Sequence, residues 1–85
     1  MEIVSLPITV LAICTLDKPH YPYKFKYKDA RGDETKVKVD FVERIETRHK
    51  DYILYYCASL FGNIKRRYQL RFWIYKCKWD LYKIS

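Results

Sequence analysis

A chain of 85 residues buries only a little over ~60% of the surface its unfolded form exposes. That excludes a two-domain enzyme with a deep cleft. Hydrophobic residues make up 49% and charged residues 32%, with two Gly and three Pro, which describes a folded domain and not a linker or a disordered tail. The formal net charge is +7, and it is uneven. Residues 1–47 carry 8 basic and 8 acidic side chains, whereas residues 48–85 carry 9 basic and 2 acidic ones. The surplus in the second half points to an anionic partner: nucleic acid, an acidic protein face or an anionic membrane.

Residues 3–16 (IVSLPITVLAICTL) have the apolar character of a signal-peptide core, but Glu2 precedes them and Asp17-Lys18-Pro19 follow. Leu11-Ala12-Ile13-Cys14 has the Cys of a lipoprotein cleavage box, with the large Ile13 where a small residue belongs. The run is far short of the ~20 residues of a membrane span. It reads as a strand over 8–16, buried on both faces or lying at a barrel closure, in a cytoplasmic protein with no membrane partner. Residues 17–22 form a turn cluster. Tyr23, Phe25 and Tyr27 then alternate with Lys24, Lys26 and Lys28, giving one aromatic and one cationic face. Asp29 to Asp33 is a hairpin loop. Val37, Val39 and Phe41 alternate with Lys36, Lys38 and Asp40, the phase breaks at Val42 as at a bulge, and the strand runs on to about Thr47.

Arg48-His49-Lys50 is a polar corner. Tyr52 to Leu60 is the next strand, and Gly62-Asn63 is a two-residue turn of the II′ kind. The chain returns over 64–75 and ends in a strand over 78–84. No segment carries caps and a helical apolar stripe. The expected fold is a single all-β domain over 1–85: a small antiparallel barrel or strongly curled sheet of about six strands, SH3/Sm-like.

The Gly62-Asn63 turn fixes a register. It sets Phe61 opposite Ile64, Cys57 opposite Tyr68, Tyr55 opposite Leu70 and Ile53 opposite Phe72, an apolar set expected to face the core. The other face pairs Leu60 with Lys65, Ala58 with Arg67, Tyr56 with Gln69, Leu54 with Arg71 and Tyr52 with Trp73. A one-residue slip would put Arg67 and Arg71 inside. This second face interleaves cations with rings, as single-stranded nucleic acid requires. The candidate nucleic-acid residues are Lys50, Lys65, Arg67 and Arg71 with Tyr52, Tyr56 and Trp73. The same face equally suits a homodimer or another protein partner, or it is plain fold surface whose rings lie under another strand with the cations at the rim.

Catalysis has no constellation to carry it. Asp29, Asp33, Glu34, Asp40, Glu43 and Glu46 show no acid–base spacing. Cys57, which His49 could activate, is expected in the core. Cys14, Cys57 and Cys77 with His20 and His49 have no metal-ligand spacing, and no phosphate-cradling glycine loop occurs. The expectation is a protein that is not an enzyme and needs no cofactor.

Two resemblances add to this. Tyr23–Tyr27 (YKFKY), Lys38–Phe41 and the ending Cys77–Lys83 (CKWDLYK) are similar to a group of short uncharacterised proteins of clostridia-like Firmicutes. That likeness implies a bacterial, stand-alone protein and brings no activity with it. Residues 25–73 resemble the WYL domain, a small Sm/SH3-like barrel. The likeness lies in Phe25-Lys26-Tyr27 with Asp29 and Gly32, then Tyr52–Cys57 (YILYYC), then Arg66–Leu70 (RRYQL). WYL domains are ligand- and nucleic-acid-sensing modules of bacterial regulators, and the resemblance implies Tyr52, Arg66 and Tyr68 at site positions. Asp51 stands where that family has Trp, Phe72 where a ligand-contacting Arg is typical, and Arg71 where an acid is typical.

Overall fold

The hairpin expected around Gly62-Asn63 is the centre of the structure. In the computed structural model, which describes residues 2–14, 16 and 21–85, β5 (Tyr52–Phe61) and β6 (Ile64–Trp73) pair antiparallel along their whole length. The pairs are those the turn dictates: Cys57 with Tyr68, Tyr55 with Leu70, Ile53 with Phe72. Gly62 has φ +63, the left-handed value that position requires. The alternation of apolar and polar residues and the turn chemistry agree, so one register wins.

Around this hairpin the other strands add on. β1 (Glu2–Ile13), β2 (Tyr21–Lys28), β3 (Glu34–Lys38), β4 (Phe41–Glu46) and β7 (Lys78–Ile84) complete one sheet in the order β3-β2-β1-β7-β6-β5-β4. Every pairing is antiparallel. The sheet curls strongly into a half-barrel. Its two edge strands, β3 and β4, are consecutive in the chain and separated only by Val39 and Asp40. Val39 donates its N–H to the Tyr23 carbonyl on β2, and Asp40 donates to the Ala58 carbonyl on β5. The ribbon thus leaves one end of the sheet and joins the other within two residues. That corner makes seven strands out of the expected six, because the segment read as one strand to about Thr47 divides there. The bulge expected at Val42 is present, between Val42 and Arg44.

The interior is built from Phe25, Val37, Val39, Tyr55, Cys57, Tyr68, Leu70, Phe72 and Leu81, with Val4, Leu6, Ile8, Val10, Tyr27 and Trp79 packed against them. Phe25 meets Tyr68 edge-on at 5.2 Å, and Trp79 meets Tyr55 and Phe72 at 5.2 and 5.0 Å, geometries that aromatic pairs favour. Among the described residues no helix is long and apolar enough to cross a membrane.

Three sequence expectations are corrected. β1 is not buried on both faces: it begins at Glu2 and alternates, with Ile3, Leu11 and Ile13 exposed and Val4, Leu6, Ile8 and Val10 turned inward. Its first half pairs with β7 and its second half with β2, and neither neighbour covers the outer face. Pro7 sits opposite Asp80 of β7, while β1 pairs with β2 only from Thr9 onward, so on the β2 side there is no ladder for its missing N–H to break. Phe61 and Ile64 are 47% and 65% exposed and lie outside the core, because β4 first meets β5 at Ala58 and β7 ends opposite Tyr68. The hairpin tip overshoots both neighbours. On the outer face, Leu54 and Ala58 are buried as well, 5% and 0% exposed. Of the segment 17–22, residues 17–20 lie outside the described residues.

The tightness of the turn is testable. A Cβ at Gly62 would meet nothing within 4 Å, so Gly62→Ala should cost only the left-handed backbone penalty, about 1–2 kcal/mol. Urea denaturation is expected to show that loss with an unchanged slope.

Candidate binding surfaces

The sheet order sets β4, from the charge-balanced first half, alongside β5 of the basic hairpin. Its carboxylates meet the cations there. Glu43, on the bulge, accepts from Lys65 Nζ and Arg67 Nε, each at 3.1 Å. These bonds, led by that from Lys65, hold its carboxyl below the ordinary value against the opposing effect of desolvation. Glu46 is only 6% exposed. It accepts from Tyr56 Oη at 2.9 Å and pairs with Arg44 at 3.4 Å, with Arg48 and with His49 Nε2 at 3.3 Å. The Tyr56 hydrogen bond is the largest of the effects that keep the Glu46 carboxyl below its usual range, and the same bond raises the Tyr56 phenol.

Arg71 lies in a closed arrangement of its own. Its cross-strand partner Asp80 accepts Nε at 2.8 Å and Nη2 at 2.7 Å, and also the Trp73 indole N–H at 3.1 Å. The guanidinium centre stands 4.2 Å from the Tyr82 ring, 5.1 Å from Trp73 and 5.5 Å from Tyr52. A bidentate pair within an aromatic wall is a strong form of Arg contact. Asp80 pushes the guanidinium above its ordinary value. Tyr52 in turn stacks on His49, with ring centroids 4.4 Å apart.

The candidate residues read from sequence are therefore brought to one face, as the register requires, but they are engaged within the chain. Lys65 and Arg67 share Glu43, Arg71 belongs to Asp80, Tyr56 is bonded to Glu46, and Tyr52 and Trp73 flank Arg71. Lys50 is exposed in the bend before β5. Of the three positions implied by the WYL resemblance, Tyr68 is 1% exposed in the core, Arg66 stands 5.9 Å from the Tyr68 ring and reaches the Ser85 carbonyl at 3.3 Å, and Tyr52 faces the opposite side of the sheet from Tyr68. Cys57 is buried and its thiol is pushed up to about 12, chiefly by desolvation, so it is inert as a nucleophile. His49 is occupied with Glu46 and Tyr52. Cys77 is exposed. His20 lies outside the described residues.

A different cationic surface is left open. Strict alternation on β2 and β3 turns Lys24, Lys26, Lys28, Lys36 and Lys38 outward, all exposed. The register pairs Lys24 with Lys38 and Lys26 with Lys36. Like charges directly opposite cost stability in a sheet, yet four of the five lysines sit in two such pairs. Glu34 relieves part of this through Lys26 at 3.5 Å. Asp29 is spent elsewhere: its Oδ1 accepts the Arg31 and Asp33 N–H groups of the loop. Next to the lysines, Thr9 and Leu11 from β1 complete an open trough of about 420 Å³. The alternation that marks this cationic face was legible in sequence, but balanced charge along residues 1–47 concealed that the acids would fold away from it.

Compared with protein-family models, curated proteins and solved structures, the chain has no match.

Two consequences can be measured. Asp80→Asn leaves Arg71 without its charge partner and should lower stability by about 1–3 kcal/mol, read by urea denaturation. Arg71→Lys should not recover the wild-type value, because a Lys cannot form the two-pronged bond. Glu46 has a lowered pKa in the fold. Its stabilisation is fully present above its unfolded value near 4.5 and is lost as pH falls through the lowered one. Glu46→Gln should therefore be less stable at neutral pH, and its melting temperature should fall less steeply than that of wild type on acidification below that value.

Proposed function

We propose that this protein is a non-catalytic binding module that docks on the phosphate backbone of nucleic acid through the lysine face of β2 and β3. The observation that carries this reading is the pair-on-pair grid of Lys24, Lys38, Lys26 and Lys36, exposed and opposed by Glu34 alone among the described acids of that face. Repelling cations held side by side are stabilised when an anion comes between them, and a polymer of phosphates releases counterions as it does so. The reading keeps the partner class suggested by the sequence and moves the contact. The basic-aromatic face of β5 and β6 is mainly a structural network, with Tyr52, Trp73 and Lys50 available at its margin for secondary contacts. Backbone contact, without free stacking rings on the lysine face, favours shape over sequence. The SH3/Sm-like description fits this proposal, since the single bent ribbon that joins both ends of a curled sheet is the topology of a small barrel.

The second reading, a homodimer through the aromatic face, is favoured by the internal neutralisation of that face, which lowers the cost of covering it.

Fluorescence anisotropy with labelled single-stranded RNA, single-stranded DNA and duplex DNA separates the two. Lys24→Ala with Lys36→Ala should weaken binding and flatten the log-affinity against log-salt slope by about 2. Arg67→Ala should leave affinity nearly unchanged. Loss in the Arg67 variant with none in the double Lys variant would refute the lysine-face reading. The absence of binding by wild type at low salt, together with a doubled mass in light scattering that Trp73→Ala reduces, would establish the homodimer in its place.

A further inference from the structure

The tip of the β5–β6 hairpin has no role in the core and none in the lysine face. Leu60, Phe61 and Ile64 are 49%, 47% and 65% exposed, and Phe41 beside them is 49% exposed. They are contiguous: Phe61 opposes Ile64, Leu60 opposes Lys65, and Phe41 opposes Ala58. Solvent-exposed clusters of large apolar side chains mark interaction surfaces.

The form of this cluster narrows its occupant. Phe61 and Ile64 project from one face of the ribbon and Leu60 from the other, following the alternation of the strand. A rigid protein surface would cover one face of such a ribbon and leave the other wet. A fluid apolar layer wets both. The charges around it agree. Lys65, Arg66 and Arg67 follow Ile64 directly, with Glu43 shared by Lys65 and Arg67 offsetting one of the three charges, and the Lys65 ammonium stands 5.7 Å from the Phe41 ring. The corner joins the tip to the lysine face: Ser59 Oγ–H donates to the Lys38 carbonyl, and the Asp40 carboxylate accepts the Leu60 N–H at 2.8 Å. Lys38 and its neighbour Lys24 are thus carried beside the tip. Apolar side chains at the end of a projecting ribbon, with cations set back from them, match the layering of a bilayer surface, acyl chains beneath anionic headgroups.

We propose that the β5–β6 tip inserts into the interfacial layer of a membrane rich in anionic lipid, with Phe61, Ile64 and Leu60 among the acyl chains and the adjoining cations at the headgroups. The sequence reading expected no membrane because no run is long enough to span; an interfacial contact needs no span. The inference stands on the tip and does not require the nucleic-acid reading.

The test is sedimentation of the full chain with vesicles of phosphatidylcholine alone and of phosphatidylcholine mixed with phosphatidylserine. Binding to the mixed vesicles is expected, and Phe61→Ser with Ile64→Ser should weaken it at least about tenfold. Both side chains are exposed, so the thermal melt of the double variant should stay close to that of wild type. Phe61→Trp supplies the depth readout: its added fluorescence should shift to the blue on mixed vesicles and be quenched by lipids brominated on their acyl chains. Absence of binding at low salt, undiminished binding by the double-serine variant, or binding without acyl-chain quenching would overturn the proposal. In the last two cases the attachment is electrostatic adsorption through the lysines. Nucleic-acid affinity, measured on the same double-serine variant, should be unchanged.

Discussion

Val39 and Asp40 bind the two ends of the sheet into one body. One N–H goes to β2, the other goes to β5, and the Asp40 side chain ties down Leu60 beyond them. A sheet of this size left flat would expose two long edges and bury little. Bent at this corner, it wraps its aromatic face around a single interior, and the edge strands become one continuous ribbon. Each of the other features depends on that bend: the closed core around Tyr68 and Leu70, the position of β4 against β5, and the proximity of Lys38 to the hairpin tip.

The corner also redistributes charge. Along the chain the basic surplus belongs to the second half, but β4 carries Glu43 and Glu46 across to it, and Asp80 meets Arg71 from β7. The arginines and Lys65 are thereby used to hold strands together. The cations without enough acidic partners are those of β2 and β3, in the half whose formal charge sums to zero. Partially buried ion pairs contribute little when both partners remain well solvated, but Arg71 and Asp80 are largely shielded, and their geometry fixes how β6 and β7 lie against each other.

Local chemistry explains what could be read in advance. The β5–β6 register was legible because a two-residue glycine turn and an unbroken period of two specify the same pairs. The bulge at Val42 was legible as a break in phase. The burial of β1 was not, because a continuous apolar run looks the same whether neighbours cover one face or both, and here each half of the strand has a different neighbour. Phe61 and Ile64 fit the core pattern in sequence; only the lengths of β4 and β7 decide that the hairpin outruns them. The residues chosen for a binding face were correctly placed together, but their side-chain partners lie on the strands that flank the hairpin, Glu46 on β4 and Asp80 on β7. The β4–β5 and β6–β7 pairings each carry a register shift and have no two-residue glycine turn to fix them, so which acid would meet which cation was not legible from spacing.

The pairing of β1 with β7 has a further consequence, for the order in which the molecule assembles. Ile8 and Trp79 are neighbours in the sheet though they lie near opposite ends of the chain. Contacts that close large loops are entropically slow to form, whereas the β5–β6 hairpin closes around two residues. The hairpin is therefore the natural template, on which β4 and β7 can add from either side. β1 and β2 form a second local hairpin, with Ile13 opposite Tyr21, so the long-range step is the docking of the first half of β1 on β7. Until it occurs Val4, Leu6 and Ile8 lack their place in the core, and the open edges of β1 and β7 are where copies of the chain can stick to one another.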